Sequence, residues 1–193
     1  MDFPKTFVIN IFGGPGCGKS VLQAQIYVAL KKLGFSCEMV QESAKKLVLK
    51  KDWNTLNNQY MVSTNYAKDI EVLIGKVQFI ILDSSILTGL YHNEFNEYNT
   101  SNVEKTKEQI YKLYNKFNNI NLLLKRGIFP YESIGRTETL EKAKEIDNYF
   151  NKMLDESDII FENVLAIIDE KDIINILNVL LKNILNDIQP NFL

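Results

Sequence analysis

The stretch TFVINIFGGPGCGKS, Thr6 to Ser20, decides how the rest of this chain is read. Thr6 to Phe12 is short, apolar and β-branched, and it runs straight into Gly13, Gly14, Pro15 and Gly16, as a buried parallel strand enters a tight loop. Gly13 to Ser20 satisfies G-x-x-x-x-G-K-[ST]. Glycines let the backbone wrap a phosphate, while backbone N–H groups and the start of the next helix supply partial positive charge. Lys19 then reaches the β- and γ-phosphates and the Ser20 hydroxyl ligates magnesium. The pattern therefore predicts a nucleoside-triphosphate site, with ATP and Mg2+ as cofactors, built from Gly13, Gly14, Pro15, Gly16, Cys17, Gly18, Lys19 and Ser20. Cys17 reads as a small residue tolerated in the loop rather than as a catalytic thiol.

Outward from this loop, Val21, Leu22, Gln25, Ile26, Ala29, Leu30 and Leu33 recur at helical spacing, and Gly34 is placed to end that helix. Strands are predicted at Ser36–Val40, Gln78–Leu82 and Ile120–Leu124. Helices are predicted at Glu42–Lys51, Thr55–Ile74, Val103–Phe117 and Thr137–Glu156, with a less regular Asn- and Tyr-rich stretch after Asp83. Either Ile159–Phe161 or Leu165–Ile168 is a fifth strand, and Asp172–Ile188 a terminal helix. This alternation predicts an α/β fold with a doubly wound parallel sheet of the P-loop NTPase kind, kinase-like with a lid, binding ligands beyond the carboxyl ends of its strands.

The 193 residues suit one domain over 1–193, and 46% hydrophobic with 24% charged residues is the balance of a chain that buries a sizeable core. A net charge of −2 gives no general attraction to nucleic acid, though it leaves room for a local basic patch. Cys17 and Cys37 have no spacing of a disulfide framework or zinc knuckle, and a reducing cytoplasm is expected, that of a host cell if the chain is phage-encoded. No apolar run reaches the length of a membrane span, so no membrane partner is expected. The single histidine, His92, cannot build a multi-histidine metal site and reads as a surface or packing residue.

Further motifs carry the chemistry. Phe79 to Leu82 delivers the Asp83 carboxylate to the sheet edge shared with the phosphate loop, where it would orient magnesium or its water; a turn or cap role is the plainer reading. Ser84 and Ser85 are cap candidates for the next helix. Lys125 to Arg136 is a Gly- and Pro-containing loop with arginines near both ends, Arg126 and Arg136, and reads as a lid over about residues 125–137. Guanidinium groups there stabilise charge on a transferring phosphoryl group, unless they are simply solvated. Glu42, just after the second strand, is placed to accept a proton from an acceptor hydroxyl, or to start a helix. Gln59 and Tyr60 are weaker candidates for reading a substrate ring.

Together GGPGCGKS at Gly13–Ser20, VQESA at Val40–Ala44, ILDSS at Ile81–Ser85 and the segment ending Gly135-Arg136, followed by Glu141 to Asp147, resemble a phage- and bacterium-associated family of P-loop ATPase/kinase-like proteins related to ribosylnicotinamide kinase domains. A looser similarity is to deoxynucleoside kinases, which implies a catalytic Glu42, a substrate-reading Gln59 and lid arginines Arg126 and Arg136. Asp83-Ser84-Ser85 departs from the Glu-Arg-Ser of those kinases, so their substrate-positioning arginine has no counterpart here.

The expected function is an ATP- and Mg2+-dependent kinase acting on a nucleoside, nucleotide or related small molecule, with catalytic residues Lys19, Glu42, Asp83, Arg126 and Arg136, and metal ligands Ser20 and Asp83. Two alternatives stay open: a kinase of a DNA hydroxyl, at a 5′ end or modified base, and a regulatory P-loop ATPase without an acceptor. Nucleic acid and a homodimer mate are both compatible with the sequence as partners. The guanine-reading N-K-x-D is absent, and Asp83 does not begin a D-x-x-G switch, which argues against a signalling GTPase.

Overall fold

The computed structural model describes residues 5–127, 129–134, 136–165 and 170–182. Five strands, β1 (Phe7–Phe12), β2 (Cys37–Val40), β3 (Phe79–Leu82), β4 (Asn118–Lys125) and β5 (Glu162–Leu165), form one sheet in the order β2-β3-β1-β4-β5. Every pairing is parallel. Parallel neighbours need crossovers, supplied by helices α1 (Lys19–Lys32), α2 (Ala44–Lys50), α3 (Trp53–Leu56), α4 (Gln59–Glu71), α5 (Gly89–Phe95), α6 (Val103–Tyr114) and α7 (Leu140–Asp155), while α8 (Glu170–Lys182) follows β5.

Alternation along β1 divides the core between two faces. Phe7, Ile9 and Ile11 pack with Leu22, Ile26 and Leu30 of α1 and with Ile173 and Leu177 of α8. Val8 and Phe12 pack with Tyr66 and Ile70 of α4, Ile110 of α6, and Ile146 and Phe150 of α7. All six β1 residues are buried, which is why the strand reads as a continuous apolar run instead of an alternating one. Asn10, the exception, is satisfied: its Nδ2 donates to Asn119 Oδ1 at 2.9 Å and to Val8 O at 3.2 Å.

Several boundaries differ from those predicted. The helix expected over Thr55–Ile74 is two, α3 and α4, because Asn58 leaves helical geometry and its Oδ1 caps α4 by accepting the Met61 N–H at 3.0 Å. The irregular stretch after Asp83 holds a 3-10 turn, Ile86–Thr88, and α5; Ser85 caps the turn by accepting the Leu87 N–H. The fifth strand, Glu162–Leu165, falls between the two candidates: Ile159–Phe161 precedes it, and only Leu165 of the other lies in it, residues 166–168 being outside the described residues. Of the terminal helix, residues 183–188 also lie outside them. On α1, Val21 and Leu33 are exposed where an apolar face was expected, while Gln23 is buried. Among the described residues no helix is long and apolar enough to cross a membrane.

Candidate functional site

The site starts from the turn between β1 and α1. Gly13, Gly16 and Gly18 hold φ of 146°, 73° and 105°, the left-handed backbone that only glycine adopts without strain. Gly18 ends the loop and α1 begins at Lys19 with no side-chain cap and no acid in its first turn, so neither offsets the positive end of the helix. Lys19 curls back over the loop, Nζ donating to Gly13 O at 2.6 Å and Gly14 O at 3.0 Å. Cys17 turns inward and is buried, whereas Ser20 is exposed beside the helix start.

The parallel sheet brings the ends of β2 and β3 to the same rim. Val40 and Leu82 are in register, so Glu42 and Asp83 emerge side by side, and the Asp83 Oδ1 accepts the Glu42 backbone N–H at 2.9 Å. Buried Gln23 holds these strand ends from α1: its Nε2 donates to Val40 O at 3.0 Å and Ile81 O at 2.9 Å. Burial pushes the Asp83 carboxyl up to about 6, the Glu42 N–H and Lys19 opposing this and the Glu42 charge adding to it. Such a carboxylate is short of positive charge. Tyr66 anchors the turn behind it, donating to Ser84 O at 2.8 Å.

A cleft of about 990 Å³ opens from the loop across this rim. Its lining includes Gly16, Gly18, Lys19 and Ser20 of the loop and Glu42 and Asp83 of the rim. Trp53, Tyr91, Phe95 and Tyr98 give the same cleft an aromatic wall, with Asn57, Gln59 and Asn96 also in the lining. The segment between β4 and α7 roofs the loop through Phe129, Pro130, Glu132 and Arg136. Its aromatic rings rest on the loop glycines: a Cβ on Gly18 would lie 2.7 Å from the Phe129 ring, and one on Gly16 2.7 Å from Tyr131.

Comparison with known protein families and with curated proteins finds no match to this chain.

The sheet thus gathers Lys19, Ser20, Glu42, Gln59, Asp83 and Arg136 around one cleft. Arg136 donates through Nε to Glu132 O at 2.6 Å and stacks over Tyr131, its guanidinium carbon 5.6 Å from the ring centroid. Arg126 is differently employed. Its Nε pairs with Asp147 Oδ2 at 2.7 Å and its Nη2 donates to Pro15 O at 2.9 Å, so it braces the loop and is outside the cleft lining. Gln59 is buried at the cleft wall with its Nε2 on Leu56 O, while its neighbour Tyr60 is 42% exposed and outside the lining, because adjacent helical residues point about 100° apart. His92 lines the cleft, edge-on to Tyr91.

Sequence reasoning quoted Glu141 to Asp147 without giving Lys142 or Asp147 a role, and it missed the aromatic wall. Lys142 lies at the cleft over the Tyr91 ring, and its ammonium is held above the usual lysine range by Glu145 first and Tyr91 second. No local motif marks these residues. Trp53 comes from α3, Tyr91 and Phe95 from α5, Tyr98 from the segment after it, and Lys142 and Asp147 from α7, and only the packing of these elements brings them together.

Proposed function

We propose that this chain is an ATP- and magnesium-dependent phosphotransferase of the P-loop kinase type, with residues 125–137 as its lid and a nucleoside, nucleotide or related small molecule as acceptor. The observation that carries this reading is that one cleft is lined by the glycine loop with Lys19, by the carboxylates Glu42 and Asp83, and by an aromatic wall. Its aromatic walls and amides suit a planar ring with polar edges.

The loop fits the phosphates of a nucleotide, since its positive-φ glycines and uncapped helix start form a cradle for an anion. Ser20 and Asp83 would hold the magnesium, which neutralises phosphate charge when bound. Among the described residues no cluster of three or more acidic, histidine or cysteine side chains gathers, in keeping with an ion that takes most of its ligands from phosphate and water. Lys19, held over the loop by the Gly13 and Gly14 carbonyls, would meet the β- and γ-phosphates. Glu42 takes the proton of the acceptor hydroxyl as the new O–P bond forms and the bond to the departing ADP breaks. Arg136, from the lid, meets charge on the transferring group.

The test mixes the protein with magnesium-ATP and a panel of nucleosides, nucleoside monophosphates, nicotinamide riboside and hydroxyl-bearing oligonucleotides, and reads phosphate-sized mass gains, with Lys19→Ala as control. A gain on a small acceptor, absent in the control, is the expected result. Gain on oligonucleotides alone would move the acceptor to DNA, and ADP formed with nothing modified would make the chain a regulatory ATPase.

A further inference from the structure

We propose that Asp147, which the reaction above does not use, is a positioning residue that sets the direction of two peptide groups in the phosphate loop and so preorganises it for nucleotide. The inference rests on the loop binding a nucleotide, not on which acceptor is used.

Residue 14 is a free position in G-x-x-x-x-G-K-[ST], and Gly14 is not among the positive-φ residues. The phosphates do not require a glycine there; α7 does. A Cβ on Gly14 would sit 2.3 Å from the backbone oxygen of Ala143 and 2.8 Å from Asp147 Oδ1. Ala143 and Asp147 are one helical turn apart on α7, so this face of the helix lies directly on the loop.

The Asp147 carboxylate uses both oxygens. Oδ1 accepts the Gly14 N–H at 2.6 Å, and Oδ2 accepts the Arg126 Nε–H at 2.7 Å, while Arg126 passes its other arm to Pro15 O at 2.9 Å. The C=O and N–H of a trans peptide point in opposite directions. With the Gly14 N–H turned to Asp147, the Gly13 carbonyl points the other way, where it receives Lys19 Nζ at 2.6 Å. With the Pro15 carbonyl turned to Arg126, the Gly16 N–H points away from Arg126. Pro15 has no N–H to offer an anion, so in this part of the loop the donor comes from the Pro15–Gly16 peptide whose carbonyl Arg126 holds.

The pair is well placed to do this. The Arg126 and Asp147 side chains are only 16% and 17% exposed, and charge-assisted hydrogen bonds in such surroundings are stronger than exposed ones. Arg126 directly follows β4 and Asp147 lies midway along α7, so the chain on either side of the β4–α7 segment is tied to the loop. Without the brace, the loop samples peptide orientations that do not bind, and apparent affinity falls by the competent fraction.

The experiment is calorimetric titration of magnesium-ADP into wild type, Asp147→Asn, Arg126→Gln and the double variant, with melting curves on each. Losing charged hydrogen bonds of this kind should weaken nucleotide binding on the order of tenfold in either single variant. The double variant should bind no worse than the weaker single, since one brace is cut in each case. In turnover assays the KM for nucleotide should rise by more than kcat falls. A lowered melting temperature with unchanged affinity well below it makes Asp147 merely structural and overturns the proposal, as do additive losses in the double variant. Should Asp147→Asn not fold, Arg126→Gln alone decides: unchanged affinity overturns. A wild type that binds no nucleotide overturns the reading of the loop and this proposal with it; a wild type that binds while the variants match it overturns only this one.

Discussion

Replacing Gln23 by Met keeps the side chain's length and removes both hydrogens that its amide places on Val40 O and Ile81 O. The residue is 1% exposed, so water cannot take over either bond. An orphaned buried carbonyl costs about 1–3 kcal/mol, and two are created. The similar volume avoids a cavity, and the added apolar area returns roughly 1 kcal/mol, leaving a net loss of about 1–5 kcal/mol. At roughly 2–4 °C per kcal/mol for a chain of this size, melting should fall by about 2–20 °C. Urea denaturation followed by far-UV circular dichroism should show a lower midpoint with an unchanged slope. The two carbonyls precede Glu42 and Asp83 by two residues each, so the variant should also loosen the rim and lower turnover at temperatures where it is fully folded. A midpoint within the error of wild type would refute the reasoning, since the amide would then contribute no more than an apolar side chain.

Asp83 sets a pH dependence of opposite sign to the usual carboxylate. Its folded value of about 6 lies above the ordinary 3.8, so between these the folded chain binds more protons than the unfolded chain, and stability falls as pH rises across that window before levelling off. Asp83→Asn should remove this slope and be more stable than wild type near pH 7, while losing magnesium-dependent nucleotide binding; parallel denaturation profiles from pH 4 to 8 would contradict it. Glu42→Gln should reduce turnover by about two orders of magnitude or more with ATP affinity nearly unchanged, as removal of a general base does, and unchanged turnover would dismiss it as the base. Trp53, the single tryptophan, is 45% exposed on the aromatic wall, so an acceptor bound against that wall should shift its emission. A calorimetrically proven acceptor that leaves the emission unmoved would place the acceptor elsewhere.

The sequence by itself determined the strand-loop-helix at Thr6–Ser20, the parallel α/β architecture and the carboxylates at two strand ends, because each is written in local pattern: an apolar run, glycines where φ must be positive, an acid just after a strand. It missed the break between α3 and α4, where two asparagines at Asn57 and Asn58 outweighed helical periodicity, and it passed over α5, whose apolar residues are diluted by Asn and Tyr. Tertiary structure alone decided which α1 residue faces inward. Gln23, not Val21, lies over the strand ends, since polar burial depends on acceptors that β2 and β3 bring from far along the chain. It also decided that Arg126 braces the loop while Arg136 lines the cleft, because α7 carries Asp147 to the first arginine and not the second. Local pattern specifies what a residue can do. Only packing specifies the partner it meets, because hydrogen bonds and ion pairs act over a few ångströms between groups that stand from 17 to 133 residues apart in the chain.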